Sequence, residues 1–359
     1  MELSKQDTRA LKGMAILLMV LLHLFARKDV EGLYFAAPQW NGVPLVYYLA
    51  LLGDACRPIY LFVTGYAFYV MSNRPLRESM RKNLFRILKL YVNYWVVFLL
   101  FVPLFFIVRP EQWQQIKAYM LAMDFLGLSN HVNGAWWFVQ IYILMVLLSP
   151  LLLAIVKRVH YIPLLLITGA LYLFSHLQRY WSIIDFGQNN VLLYVNNVGV
   201  LFGTSVFSFV VGALFAKFKV YSRIYRRLHK LPYLQIGCLF GFVILFLFHM
   251  TIESSVIAPL NAVAIICFYL LLKKGPAVRR GMAYISSHST NIWLTHMFFY
   301  QTIFSDLTFF PKYPPLIFLW LIVLCVAASL VIKSITNPVF KWIDSKQRRA
   351  AQASVAINA

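Results

Sequence analysis

Ten apolar stretches leave this chain few folds to choose from. They run over residues 10–27, 46–71, 85–108, 135–156, 161–176, 195–216, 233–251, 256–272, 284–304 and 316–336. Continuous apolar runs near twenty residues cross a bilayer as helices, because only an internally bonded backbone is tolerated in hydrocarbon. The expected fold is therefore all-α: a polytopic membrane protein with about ten transmembrane helices. Composition agrees, with 61% of the 359 residues hydrophobic and 13% charged, far from the balance of an ordinary soluble domain. The first stretch is too long for the core of a cleaved signal peptide, and no small-residue cleavage site precedes Arg27 and Lys28.

The basic residues orient these spans. Of 33 Lys and Arg, 26 fall in alternate loops and termini on one face, six fall on the other, and Arg57 is left inside a span. Short cytoplasmic loops carry the excess of Lys and Arg, so both termini are expected in the cytoplasm. Orientation and attraction to anionic lipid explain the formal charge of +21, and no nucleic-acid partner is needed. The four cysteines, Cys56, Cys238, Cys267 and Cys325, all lie in apolar spans without pairing or metal spacing. They read as small core residues, and no metal or resident cofactor is expected. Residues 1–344 read as a single transmembrane domain, and residues 345–359 as a polar, disordered cytoplasmic tail. No inverted internal repeat of the kind that marks many secondary transporters is visible.

Ionisable residues inside apolar spans are costly and point to function. Lys12 and His23 lie eleven positions apart in the first span. That is about three helical turns, which puts them on one face roughly 16 Å apart along the axis. A bland reading has Lys12 snorkelling to headgroups and His23 bonded to a neighbouring helix. In the second span Asp54 and Arg57 are three apart and can pair on one face, with Pro58 breaking the backbone ladder just after them. Lys82, Arg86 and Lys89 form a basic stripe at the start of the third helix, suited either to phosphates or to lipid headgroups. Asn133, Trp136 and Trp137 stand at an outer boundary, where a Trp pair is usually an aromatic belt and otherwise a sugar platform. His296 lies eight residues beyond His288 in the ninth span, a second imidazole at membrane depth.

Taken in order, these pieces resemble the membrane acyltransferase-3 family, whose members O-acylate carbohydrates and other molecules at bacterial surfaces. Lys12 through His23 is similar to the family's Arg-x10-His signature, with Lys in the Arg place. Tyr60 to Tyr66 resembles its aromatic stretch ending Ser-Gly-Tyr, here Thr64-Gly65-Tyr66. Lys82 and Arg86 match its Arg-x3-Arg motif, again with Lys first. Trp136-Trp137-Phe138 resembles its Trp-Phe element, and Ile285 to His296 its ninth-span pattern. Lys in place of Arg keeps the charge and loses the planar fork that grips phosphate bidentately. The C-terminal esterase-like domain of some members is not seen, so a stand-alone form is expected.

The resemblance implies a bacterial inner-membrane enzyme with acyl-CoA, most often acetyl-CoA, as donor substrate and a carbohydrate as acceptor. Lys12, Lys82, Arg86 and Lys89 would then hold the CoA phosphates, and the pantetheine arm would run along the first helix towards His23. His23 would act as general base or as covalent acyl carrier, with His296 orienting it or polarising the carbonyl. Asp54, Arg57, Thr64, Gly65 and Tyr66 would shape the site, and Asn133, Trp136 and Trp137 would face the acceptor. The competing class is a transporter or flippase of a glycan or lipid-linked sugar, which shares the buried charges but needs no acyl-CoA. A signalling role ranks lowest, since no sensory or output domain is visible.

Overall fold

The computed structural model describes residues 2–73 and 75–357. Among the described residues, helices carry nearly all the regular structure. The chain runs α1 (Lys5–Phe25), a short ribbon of β1 (Gln39–Trp40) and β2 (Val43–Pro44), α2 (Leu45–Leu51), α3 (Cys56–Val70) and α4 (Leu76–Val108). It continues through α5 (Ala118–Phe125), α6 (Trp137–Arg158), α7 (Tyr161–Trp181), α8 (Asn190–Lys217) and α9 (Val220–Leu228). The last elements are α10 (Leu234–Thr251), α11 (Ala258–Leu271), α12 (Pro276–Met297), α13 (Ser305–Phe309) and α14 (Pro314–Ile357). The ribbon is antiparallel, with Gln39 opposite Pro44.

Among the described residues, eight helical stretches are long and apolar enough to cross a membrane, and the chain is an all-α polytopic membrane protein. Two of the ten expected spans fall outside those eight. The eighth is a shorter apolar helix, Ser255–Leu271. The ninth, α12, is long but polar, and the structure encloses that polarity: His288, Ser289, Asn291, Thr295 and His296 are all buried. Asn291 Nδ2 donates to Ser329 Oγ at 2.9 Å and Thr295 Oγ1 to the Asn291 carbonyl at 2.7 Å. Two further differences concern boundaries. The stretch read as a disordered tail continues as helix to Ile357, while residues 358 and 359 and Arg74 lie outside the described residues. The stretch read as one domain divides into two compact units, residues 1–74 with 148–289 and residues 75–147 with 290–359.

The first unit is organised by close backbone contacts. A Cβ built on Gly65 of α3 would lie 2.0 Å from the Phe209 carbonyl oxygen of α8, and one on Gly212 of α8 would lie 2.0 Å from the Phe62 carbonyl oxygen. Only glycine allows two helices to approach so closely, and membrane helices use it because dispersion contact must replace the hydrophobic drive. Gly13 of α1 makes the same kind of approach to the Met282 carbonyl of α12. The chain start is tied in as well. Ser4 and Asp7 form a capping box at α1, and the Glu2 carboxylate accepts from Tyr66 OH at 2.7 Å and from Ser222 Oγ at 2.5 Å.

The second unit packs an aromatic core. Trp136 meets Tyr94 with ring centroids 4.8 Å apart and Phe298 at 5.6 Å, and Phe101 stacks on Phe298 at 5.0 Å. Asn83 Nδ2 donates to the Val146 carbonyl at 2.8 Å, joining α4 to α6.

Replacing Gly65 by Ala is expected to cost about 1–3 kcal/mol, because the new methyl meets backbone that cannot move aside. Gly199→Ala, where a Cβ meets nothing within 4 Å, should cost nothing. Thermal unfolding in detergent checks both, and equal midpoints for the two variants would contradict the close packing of α3 on α8.

Candidate active site

In the first unit α1 begins at Lys5, which places Lys12 two turns inside the helix and His23 in its last turn. The imidazole therefore stands near the end of the helix. Lys12 Nζ lies over the Tyr60 ring of α3 at 5.3 Å, an aromatic face that suits a cation in an apolar setting. His23 is half-buried.

The second span is broken, but not where the proline suggested. A 3-10 turn, Leu52–Ala55, separates α2 from α3. Pro58 sits in the first turn of α3, where its missing N–H has no partner to lose. Asp54 projects from the 3-10 turn, and its Oδ2 lies 3.7 Å from His249 Nε2. His249 is fully enclosed, and its Nδ1 sits 2.9 Å from the Ile252 carbonyl. A carbonyl only accepts, so Nδ1 carries the proton and Nε2 is the nitrogen that faces Asp54. Arg57 Nη1 donates to Thr204 Oγ1 of α8 at 3.2 Å.

Asp54 also lines a cavity of about 530 Å³ with His176, Leu177, Tyr180, Trp181, Glu253, Ser254, Ser255 and Val256. Its rim is clamped. Lys28 pairs with Glu253 at 2.7 Å, and Tyr47 OH donates to the same Glu253 oxygen at 2.7 Å. The Lys28 ammonium, with help from Tyr47, holds the Glu253 carboxyl below its ordinary range, and Glu253 in turn raises Lys28.

Thr64, Gly65 and Tyr66 have structural duties. Thr64 Oγ1 donates to the Tyr60 carbonyl at 2.8 Å, Gly65 admits α8, and Tyr66 holds Glu2.

In the second unit the basic stripe occupies the first turns of α4. Lys82 pairs with Glu78 at 2.5 Å, Lys89 with Asp344 of α14 at 2.5 Å, and Arg86 Nη1 donates to Asn83 Oδ1 at 2.7 Å. Both ion pairs are partly exposed, where such pairs are worth about 0–1 kcal/mol, so either carboxylate could be exchanged for another anion at little cost. His296 is fully buried in α12, with Nδ1 2.8 Å from the Trp293 carbonyl and its ring stacked on Tyr300 at 6.0 Å. The same tautomer argument points the Nε2 lone pair away from the helix backbone. A π-helical turn, Phe298–Thr302, follows at once, a feature frequent at functional sites.

Asn133 and Trp136 are buried, and both donate to the Leu294 carbonyl, at 3.3 and 3.0 Å. They join the 129–137 loop to α12 and present no open platform. Trp137 is half-buried, edge-on to Phe138.

Several residues that sequence reasoning passed over carry these sites. Asp124, fully buried, accepts from the backbone of His131 at 3.1 Å and of Val132 at 2.8 Å, from the Ser129 hydroxyl, and lies 3.0 Å from His131 Nδ1. His249 met the criterion that singled out His23, an ionisable group inside an apolar run. His176, at the end of the 161–176 run, met the same criterion, whereas Tyr180 and Glu253 had no sequence signal, since the fold brings them together from separate segments.

The sequence profile described as Acyltransferase domain, of the acyltransferase-3 group, matches residues 8–334. The chain belongs to that family. It is a membrane acyltransferase, and its family match takes in both units. Comparison with curated proteins and with solved structures returns no match.

Acid should loosen the clamp of this acyltransferase. A carboxyl held below its ordinary value of 4.5 contributes stability above that value and loses it as pH falls through its folded value. The thermal midpoint of the wild type should therefore converge on that of Glu253→Gln between about pH 6 and pH 3. A constant gap between the two over that range would show that the clamp is not ionic.

Proposed function

We propose that this acyltransferase moves an acyl group, acetyl in the first instance, from cytoplasmic acyl-CoA to a hydroxyl of a surface or exported carbohydrate, working in the bacterial inner membrane. The observation that carries the reading is the family match over residues 8–334, set on a chain whose first helix holds both Lys12 and His23. The basic turns of α4 support the donor assignment, because the carboxylates that neutralise Lys82 and Lys89 are partly exposed.

In this reading the cations Lys12, Lys82, Arg86 and Lys89 receive the phosphates of the donor substrate. His23, in its neutral form, takes the proton of the acceptor hydroxyl as that oxygen attacks the thioester carbonyl. The C–O bond forms, the C–S bond breaks, and the CoA thiolate leaves with the proton. A two-step route balances as well: the neutral imidazole nitrogen attacks the thioester, the C–S bond breaks and CoA leaves as the thiol with the imidazole's proton; the hydroxyl oxygen then attacks the acyl carbon, the N–C bond breaks, and the imidazole takes up the hydroxyl proton. His296 and Arg57 serve the developing oxyanion in either route.

The test uses protein in nanodiscs with radiolabelled acetyl-CoA and a cognate envelope extract. His23→Ala is expected to lower turnover about 10²- to 10⁴-fold while donor binding persists. Arg86→Ala should raise the donor KM about tenfold or more, as the loss of a charge-assisted contact requires. Wild type that neither binds nor turns over any short-chain acyl-CoA would sink the proposal.

A further inference from the structure

The cavity of about 530 Å³ in the first unit is not used by the donor assignments above. Its volume falls inside the range of small-molecule sites, about 300–1,000 Å³. Its walls come from three segments, the 3-10 turn with Asp54, the last turns of α7 and the 253–256 linker. The linker is held in place: Tyr172 OH donates to the carbonyls of Ser255 and Val256, both at 3.1 Å, and Tyr180 OH lies 3.3 Å from Ser255 Oγ.

Tyr180 and Trp181 are exposed at the end of a span, where aromatics often do no more than mark the membrane boundary. Here they do more. The Tyr180 ring packs on His176 at 4.7 Å, and both line a polar hollow together with Asp54 and Glu253. Behind Asp54 stands the enclosed His249, whose Nε2 has no hydrogen bond among the described residues and faces the carboxylate. Aromatic faces beside carboxylate, imidazole and hydroxyl groups match a sugar ring, with its apolar C–H faces and its rim of hydroxyls. Two carboxylates in the wall disfavour an acidic ligand, so the ring that fits is a neutral one.

Residues in or next to the cavity wall meet the chain before and after His23. A Cβ on Gly53, next to Asp54, would lie 2.4 Å from the Leu18 carbonyl oxygen and 2.6 Å from Leu22 Cβ. Beyond the helix end, Lys28 grips Glu253 of the cavity rim. We propose that this cavity is the acceptor subsite: it binds a neutral, hydroxyl-rich sugar ring between Tyr180, Trp181 and the Asp54 and Glu253 carboxylates, beside the helix that carries His23. The inference rests on the acyl-transfer reading for the word acceptor; sugar binding itself is tested apart from transfer.

Saturation-transfer NMR of the full chain in nanodiscs, with the methyl glycosides of glucose, galactose, mannose and N-acetylglucosamine as probes, reads binding. Acceptor and donor KM with labelled acetyl-CoA read transfer. The expected result is saturation of ring protons of at least one glycoside, lost in Tyr180→Ala and Asp54→Asn and kept in Tyr180→Phe. The acceptor KM should then rise about tenfold in Tyr180→Ala, the loss of one stacking face, with the donor KM unchanged. Retention of Tyr180→Phe excludes simple misfolding as the cause. Cavity-dependent saturation without any acetyl transfer would keep the sugar site and remove the acyl-transfer reading. Transfer with saturation and acceptor KM indifferent to the cavity variants would overturn the subsite and leave that reading intact. Absence of saturation by every glycoside would also overturn it.

Discussion

Backbone-to-backbone packing of α3 on α8 is the constraint on which the first unit rests. Gly65 and Gly212 face carbonyls of the opposite helix at distances no side chain could share, and the buried face of α8 includes many small residues, among them Gly203, Thr204, Ser205, Ser208, Gly212 and Ala213. In a bilayer, apolar surface gains nothing by leaving lipid for protein, so close dispersion contact and side-chain hydrogen bonds must hold helices together. The Arg57 to Thr204 bond crosses this same interface. The residues of the Thr64-Gly65-Tyr66 stretch therefore act first as packing and anchoring groups.

A second consequence follows at the far end of α1. Gly53 brings the 3-10 turn against Leu18 and Leu22, and that turn replaces a helical repeat with a tighter one at Asp54. The break lets a carboxylate leave the helix face and meet both His249 and a cavity of about 530 Å³. Irregular backbone at membrane depth is tolerated where it lines a cavity, and the 52–55 turn is an instance. In the second unit the same economy appears in the outer loop, where one buried carboxylate, Asp124, collects the backbone and side-chain donors of residues 129–132. The loop is thereby rigid without regular structure, and it delivers Trp136 to the aromatic core.

The electrostatics of the two units differ in kind. The basic turns of α4 meet their carboxylates at partly exposed positions, where solvent screens the attraction and exchange for another anion is cheap. The Lys28–Glu253–Tyr47 cluster instead joins three segments of chain distant in sequence, so its worth lies in geometry more than in energy. The first arrangement suits a surface that takes up and releases a polyanion. The second suits a wall that must stay in place while a ligand comes and goes.

Much of the architecture was legible from residues alone. Apolar runs of fixed length dictated helices, because hydrocarbon forbids an unpaired backbone, and eight of ten satisfied length and composition. Of the two that did not, the 256–272 run is a shorter helix, and α12 failed because its polarity is satisfied inside the protein: Asn291 on Ser329 and Thr295 on its own helix are tertiary and local bonds that hydropathy cannot see. The order of the motifs and the basic stripe of α4 were equally visible, since residue type and helical spacing determine them. Tertiary structure alone decided that Asn133 and Trp136 are enclosed, that the break precedes Pro58, and that Asp54, His176, Tyr180 and Glu253 share one cavity. These residues lie on segments about 70 to 200 positions apart, and no periodicity in a sequence encodes which helix ends will converge. That convergence is set by the close approach of helices at glycine, a contact between backbones that leaves no trace in side-chain pattern beyond the absence of a side chain.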